Sequence, residues 1–294
     1  MGVTPAPAPA RVLTDQRSAS TRAAGVRAEN ARSAGAGVRD PWARSWPSGV
    51  RVWKVRLDRA ERPGWWGWLS EGERERARAF ARAADRRRYV VAHAALRSVL
   101  GGVCGVPAAR LAFSRDASGR PRLDLGGGRP APDFNLSHSD EWALIAVAPA
   151  GWRVGVDVER VRDDLDPLAM ADRLYRPEEA ARLRADPGAA LAGYFRLWTA
   201  KEAFVKATGG GLAQLGDVLV REGVHDGVRD GGHDGVRDGD HGGVRDGGHG
   251  GGHEGSATCE RSRSLRGPVR WLDVAAGYAA AVVTIASTPA PRTG

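Results

Sequence analysis

Lysine is almost absent from this chain. Of 44 basic residues three are lysine, and two of these, Lys201 and Lys206, stand in one short stretch, WTAKEAFVKATGGG (198–211). A sequence that uses arginine wherever any cation will do keeps lysine where a compact, deprotonatable ammonium is wanted. Cysteine is as scarce: Cys104 and Cys259, far apart and in no CxxC arrangement, argue against a disulfide framework or a cysteine zinc site and fit a reduced, cytoplasmic compartment. Long apolar runs are missing too. The longest (275–286) is interrupted by Gly277 and Tyr278 and is too short to span a bilayer, and the first forty residues contain no continuous apolar core of a signal peptide. A soluble, cytoplasmic protein with no membrane partner is expected.

What is present is a basic chain of 294 residues with net charge +9 and 42% hydrophobic content. That is long enough to bury one large core or two smaller ones, and the charge suits anionic partners without choosing among them. Residues 1–47, rich in Ala, Pro, Arg and Ser without apolar periodicity, read as a disordered tail, as does 289–294. Residues 224–255 parse as four Gly-rich octads of the type GHDGVRDG and hold five of the seven histidines. Such octads cannot bury a core, so they read as an insertion in a hairpin loop with, at most, adventitious affinity for transition metals.

Elsewhere helices and strands are interspersed. Alternation predicts strands over 50–57, 111–114, 142–148, 154–159, 218–221, 269–274 and 277–286. A capping box, Ser70 with Glu73, opens a helix running on through 83, and a second spans 87–100 and stops at Gly101 and Gly102. Further helices are expected over 169–174, 177–185 and 189–208, with SGRPRL and FNLSHS as loops.

Three stretches carry chemistry. In GVDVER a strand would point Val154, Val156 and Val158 one way and Gly155, Asp157 and Glu159 the other, setting two carboxylates side by side; all-oxygen ligation suits Mg²⁺. In the lysine stretch, Glu202 and Lys206 at i and i+4 share a helix face, which describes a surface ion pair or, given the lysine census, a base or phosphate contact. FNLSHS holds one of two asparagines and, in His138, one of two histidines outside the octads, with Ser137 and Ser139 beside it. A lone histidine in a polar loop is commonly just solvated structure, but hydroxyls and an imidazole there also suit the holding of an anion.

These stretches, in this order and with SGRP upstream, resemble the larger, Sfp-type 4'-phosphopantetheinyl transferases, whose patterns are roughly (V/I)G(V/I)D(I/V)E, W(S/T)xKEAxxKxxGxG, FNxSHS and G(K/R)P. The resemblance covers about residues 50–222 and the closing strands. It implies an α+β fold of two similar halves related by pseudo-twofold symmetry, here 48–150 and 151–288, in a monomer. It implies transfer of the phosphopantetheine arm of coenzyme A to a serine of an apo acyl or peptidyl carrier protein, with release of 3',5'-ADP, in fatty acid, polyketide or nonribosomal peptide synthesis. Asp157, Glu159 and Glu202 would hold Mg²⁺, Lys206 would contact the pyrophosphate, and Glu202 or Lys201 would assist deprotonation of the serine. Ser137 and His138 would hold phosphates, Arg88 and Arg76 the 3'-phosphate, and Gly119, Arg120 and Pro121 would lie along the adenosine. Glu73 stands where some relatives carry a lysine near the 3'-phosphate, which leaves Arg76 as the contact, and Arg120 replaces the commoner lysine.

Two other readings compete on the residues alone. Grouped carboxylates and a lysine on a basic protein also describe a Mg²⁺-dependent nuclease or phosphodiesterase, although such enzymes usually carry that lysine on a strand, two residues after an acidic one. A non-catalytic nucleic-acid-binding protein would use the Arg-rich helices on phosphates but leave the carboxylates unexplained.

Overall fold

The computed structural model describes residues 49–222, 254–259 and 265–287; the expected tails 1–47 and 289–294, and the octads through 253, lie outside the described residues. Alternating apolar and basic residues make β1 (Arg51–Arg56). It pairs antiparallel with β5 (Trp142–Ala148), and β5 with β4 (Asp133–Ser139), in the order β1-β5-β4. Between β1 and β4 come the single turn α1 (Trp65–Trp68), α2 (Glu71–Arg78) and α3 (Ala83–Cys104), then a small hairpin of β2 (Ala112–Arg115) and β3 (Pro121–Asp124).

The capping box at Ser70 and Glu73 forms, but α2 ends at Arg78, short of the expected 83. The stop expected at Gly101 and Gly102 does not occur either, because a glycine ends a helix only where the chain turns left-handed. That happens at Gly105, with φ 67°.

The second sheet has the order β6-β10-β9-β8-β7, all neighbours antiparallel. Its strands are β6 (Trp152–Arg160), β7 (Val218–Glu222), β8 (Glu254–Cys259), β9 (Arg266–Trp271) and β10 (Tyr278–Ala286). Helices α4 (Pro167–Leu174), α5 (Pro177–Ala185) and α6 (Ala190–Thr208) lie between β6 and β7. β7 and β8, which flank the octads in sequence, pair as the two arms of a hairpin. Its second strand, EGSATC, has too little apolar content to be legible as a strand, and it begins at Glu254, inside the last octad.

The architecture is α+β. Val52, Leu144 and Ala146 of the first sheet and Val154, Val156, Val158 and Val282 of the second share one apolar cluster. The opposite face of the first sheet is covered by α3 and that of the second by α6, each with its own core.

The sheets meet along a seam between β4 and β6. FNLSHS, expected as a loop, is most of β4. Its polar residues follow the strand period and do the work that a neighbouring backbone does in an ordinary ladder. Asp133 accepts from the Val154 amide at 2.8 Å, Asn135 from Val156 at 2.9 Å and Ser139 from Arg160 at 3.1 Å. Buried backbone donors must be paired, and here side chains pair them. No helix among the described residues is long and apolar enough to cross a membrane.

Candidate active site

The functional cluster forms where β6 touches α6. Alternation along β6 sends the three valines into the cluster between the sheets and Gly155, Asp157 and Glu159 toward the helix. Gly155 sets the distance. A β-carbon there would lie 1.9 Å from the Ala203 carbonyl oxygen and 2.6 Å from the Ala207 nitrogen, so the helix backbone rests directly on the strand. Ala200, Ala203 and Ala207, all fully buried, continue this close-packed face. The end of the helix is fixed by Gly209, left-handed with φ 77°, whose amide donates to the Val205 carbonyl.

At that spacing three elements converge. Lys206 Nζ donates to Asp157 Oδ1 at 2.6 Å and to Ser137 Oγ at 3.2 Å, and Ser137 Oγ donates to the same carboxylate oxygen at 2.7 Å. Glu202 Oε2 lies 4.0 Å from Lys206, and Ser139 donates to Glu159 Oε2 at 3.0 Å. Two carboxylate oxygens, Asp157 Oδ2 and Glu202 Oε1, are buried with no hydrogen-bond partner. Burial pushes the Glu159 carboxyl above the usual range, with the Asp157 charge adding and the Ser139 bond opposing. Glu202 is likewise raised by burial; Lys206 opposes that shift and Asp157 adds to it. The cluster thus carries more buried negative charge than Lys206 alone compensates.

The carboxylates are all-oxygen donors, and their two unpartnered oxygens are what a hard divalent cation such as Mg²⁺ would take up. As the side chains stand, no three Asp, Glu, His or Cys among the described residues are grouped to hold a metal. The ammonium of Lys206 occupies the gap between Asp157 and Glu202.

A cavity of about 860 Å³ lies against β4, walled by Arg76, Tyr89, His93, Arg115, Pro121 and His138 among others. This is within the size range of small-molecule sites. His138 keeps an open side yet sits in this concave mouth. Lost hydration, with Lys206 and then Arg88 nearby, holds its pKa below the usual histidine value, so the ring is neutral near pH 7.

Comparison with known proteins decides the family. Residues 153–227 match the 4'-phosphopantetheinyl transferase superfamily, and residues 64–150 match the N-terminal family of 4'-phosphopantetheinyl transferases. The chain is 36% identical over 172 residues to the 4'-phosphopantetheinyl transferase HetI of Nostoc sp., spanning 58% of this chain and 72% of that one. It is 32% identical over 147 residues to a 4'-phosphopantetheinyl transferase of Bacillus pumilus, spanning 50% and 60%. With the 4'-phosphopantetheinyl transferase Sfp of Bacillus subtilis it shares 28% over 170 residues, spanning 56% and 72%. The chain belongs to the 4'-phosphopantetheinyl transferase family. Neither the nuclease reading nor the non-catalytic one accounts for these matches.

Within this transferase the expected site residues divide. Asp157, Glu159, Glu202, Lys206 and Ser137 come together, with His138, Arg76 and Pro121 at the adjoining cavity. Lys201 does not join them. It is fully buried on another side of α6, 2.7 Å from Glu179 Oε2, and donates to the Leu215 and Val218 carbonyls. Burial lowers its pKa against the pull of Glu179. Arg88 does not line the cavity; Asp58 holds it at 2.9 and 3.2 Å and Asp140 at 3.3 Å. Gly119 and Arg120 are also absent from the cavity wall. Gly119 is the left-handed residue of the β2–β3 turn, and the Arg120 side chain is buried in the β4–β6 seam.

Tyr89, His93 and Arg115 line the cavity without having been singled out for it. His93 had a signal: it is the other histidine outside the octads, and its ring stacks on Tyr89 at 3.8 Å. Arg115 and Tyr89 had none, in a chain where arginine is common and Tyr89 reads as part of an apolar helix face.

Proposed function

We propose that the protein transfers the phosphopantetheine arm of coenzyme A to a serine hydroxyl of an apo acyl or peptidyl carrier protein, with Mg²⁺, releasing 3',5'-ADP. The observation that carries this reading is the pair of unpartnered buried oxygens, Asp157 Oδ2 and Glu202 Oε1, beside Lys206, linked through Ser137 to the strand whose His138 lines a nucleotide-sized cavity.

Asp157 and Glu202, with Glu159 beside them, would hold Mg²⁺. When bound, the ion supplies positive charge to the pyrophosphate oxygens as the phosphorus–oxygen bond to the leaving 3',5'-ADP breaks. The chain's own residues do the rest. Lys206 turns its ammonium from Asp157 to the pyrophosphate, and its 29% exposed side chain leaves it free to do so. Ser137 and the neutral His138 offer hydrogen bonds to phosphate oxygens, and Arg76 and Arg115 bring charge to the nucleotide's remaining phosphate.

Glu202 takes the proton of the attacking serine. Glu202 has a carboxylate oxygen to spare beyond the one the ion would take, whereas the Lys201 ammonium is already surrounded by acceptors. The substrate hydroxyl thus loses its proton to the protein while the phosphoryl group moves to oxygen. With both halves of the site in one chain, a monomer suffices.

The test is to incubate the protein with apo acyl and peptidyl carrier proteins, coenzyme A and Mg²⁺ and to weigh the carriers. A mass gain of one phosphopantetheine, lost when Mg²⁺ is chelated, is expected. Carriers of unchanged mass across several types would refute the reading.

A further inference from the structure

The SGRP turn and the TGGG stretch, remote in sequence, meet in space. A β-carbon on Gly209, the residue that ends α6, would lie 2.7 Å from Ser118 Oγ, so the β2–β3 turn sits directly on the end of the active-site helix. The turn is itself held in shape: Asp116 Oδ1 accepts from the amides of Ser118 and Arg120 at 3.0 and 3.2 Å and from Ser118 Oγ at 2.5 Å. From this turn Pro121 faces the cavity, while the next side chain back goes the other way.

That side chain is Arg120, and its guanidinium reaches three elements at once. Nη2 donates to Asp133 Oδ2 at 2.7 Å and the Phe134 carbonyl at 3.0 Å, both on β4, and to the Val154 carbonyl of β6 at 2.6 Å. Nη1 donates to the carbonyl of Lys206 on α6. The last four carbonyls of a helix have no partner within it and carry the negative end of its dipole, so a buried cation there is favourable twice over. The Val205 carbonyl is satisfied by the amides of Gly209 and Gly210; that of Lys206 is satisfied by Arg120. A lysine could not make this set of contacts, because only the planar fork of arginine reaches acceptors on opposite sides simultaneously.

We infer that Arg120 is a positioning residue: it fixes the last turn of α6 against the β4–β6 seam and so sets the point from which Lys206 reaches Asp157 and the substrate. The inference rests on the reading of Lys206 as the pyrophosphate contact. It replaces an adenosine contact, the role the sequence suggested, with one exercised through the helix. Asp133 completes the device, since its Oδ2 accepts from both Arg120 and the Val154 amide and neutralises the buried charge.

The experiment is steady-state kinetics of Arg120→Lys, with coenzyme A varied at saturating Mg²⁺ and carrier, beside thermal melting. A folded variant with kcat down about tenfold and KM for coenzyme A unchanged is expected, the pattern of an interaction that matters in the transition state. A raised KM with unchanged kcat would make Arg120 a ligand contact and overturn the proposal, as would unchanged kinetics in a folded variant. Should Arg120→Lys fail to fold, Arg120→Gln is measured in the same way. Loss of folding in both would also overturn it, because the residue would then support the fold as a whole. Absence of transfer by the unmutated protein would instead refute the functional reading.

Discussion

Lys201 and Lys206 are five residues apart on one helix and have opposite fates. Lys206 ends on the seam side, partly open to solvent, with its ammonium among Asp157, Ser137 and Glu202. Lys201 points into the core between α5, α6 and β7, where Glu179 and two carbonyls enclose it completely. Five residues correspond to about 140° of helix rotation, enough to separate two faces. The Glu179 carboxylate also accepts from the Val220 and Arg176 amides at 2.8 and 2.9 Å, so this pair joins β7, α5 and α6. On the proposed reading α6 presents Glu202 and Lys206 to the site, and Lys201 holds the helix from its other side.

The largest effect should come from the carboxylates that Lys206 serves. Asp157→Asn and Glu202→Gln keep volume and fold, and each is expected to lower transfer by about a thousandfold, the scale of losing a preorganised electrostatic group. Mass spectrometry of the carrier gives the activity and circular dichroism the fold. Activity near that of the unmutated protein in either variant would break the assignment of this side of the helix to chemistry.

The lysines themselves come next. Lys206→Ala should cost about a hundredfold in kcat/KM, with a smaller loss of stability than Lys201→Met because its side chain is partly open to solvent and Ser137 still donates to Asp157. Lys201→Met should do the reverse in kind: it strands a buried Glu179, at a cost of about 3–5 kcal/mol of stability. Pairing it with Glu179→Leu should recover most of that loss, since a buried ion pair replaced on both sides by apolar groups is often close to neutral. If the double variant melted no higher than Lys201→Met, the pair would not be the unit described.

How far this division was legible in the sequence depends on the range of the contacts. GVDVER announced its own geometry, because a strand's period is local and the valines needed only a core to face. The lysine stretch announced a helix and its glycine end for the same reason. It could not announce which lysine met the site, since that depends on where β6 and β7 lie around α6. FNLSHS failed as a loop because its polar residues answer β6, a strand that follows it in sequence. The contacts of the Arg120 side chain were not legible because its partners, on β4, β6 and α6, lie elsewhere in the chain.

A smaller effect should follow from moving the helix bodily. Gly155→Ala places a methyl group where the Ala203 carbonyl and the Ala207 nitrogen already lie, and both are backbone atoms that cannot turn aside. The helix must shift or the strand must bend, at a cost of about 1–3 kcal/mol. Both lysine sites should suffer together, so stability and kcat should fall in the same variant. A loss of one without the other would show that α6 yields locally rather than as a rod.

The smallest expected effect extends the contrast to the N-terminal half, where His93 is rare like the lysines, is only half-buried, and lines the cavity. Its Nδ1 lies 3.0 Å from the Tyr89 carbonyl, so in the neutral ring that nitrogen carries the proton and donates it. Burial holds its pKa below the ordinary value of 6.5, with the Tyr89 bond opposing. The unfolded chain therefore binds a proton near pH 6.5 that the folded chain still refuses, and stability must fall as the pH drops from there through the folded value. One such proton contributes a slope of at most about 1.4 kcal/mol per pH unit. His93→Phe keeps a ring against Tyr89 and removes the titration, so its melting temperature should decline less steeply than that of the unmutated protein between about pH 6.5 and 5. Parallel profiles would mean that the His93 ring takes up its proton in the folded protein as readily as in water.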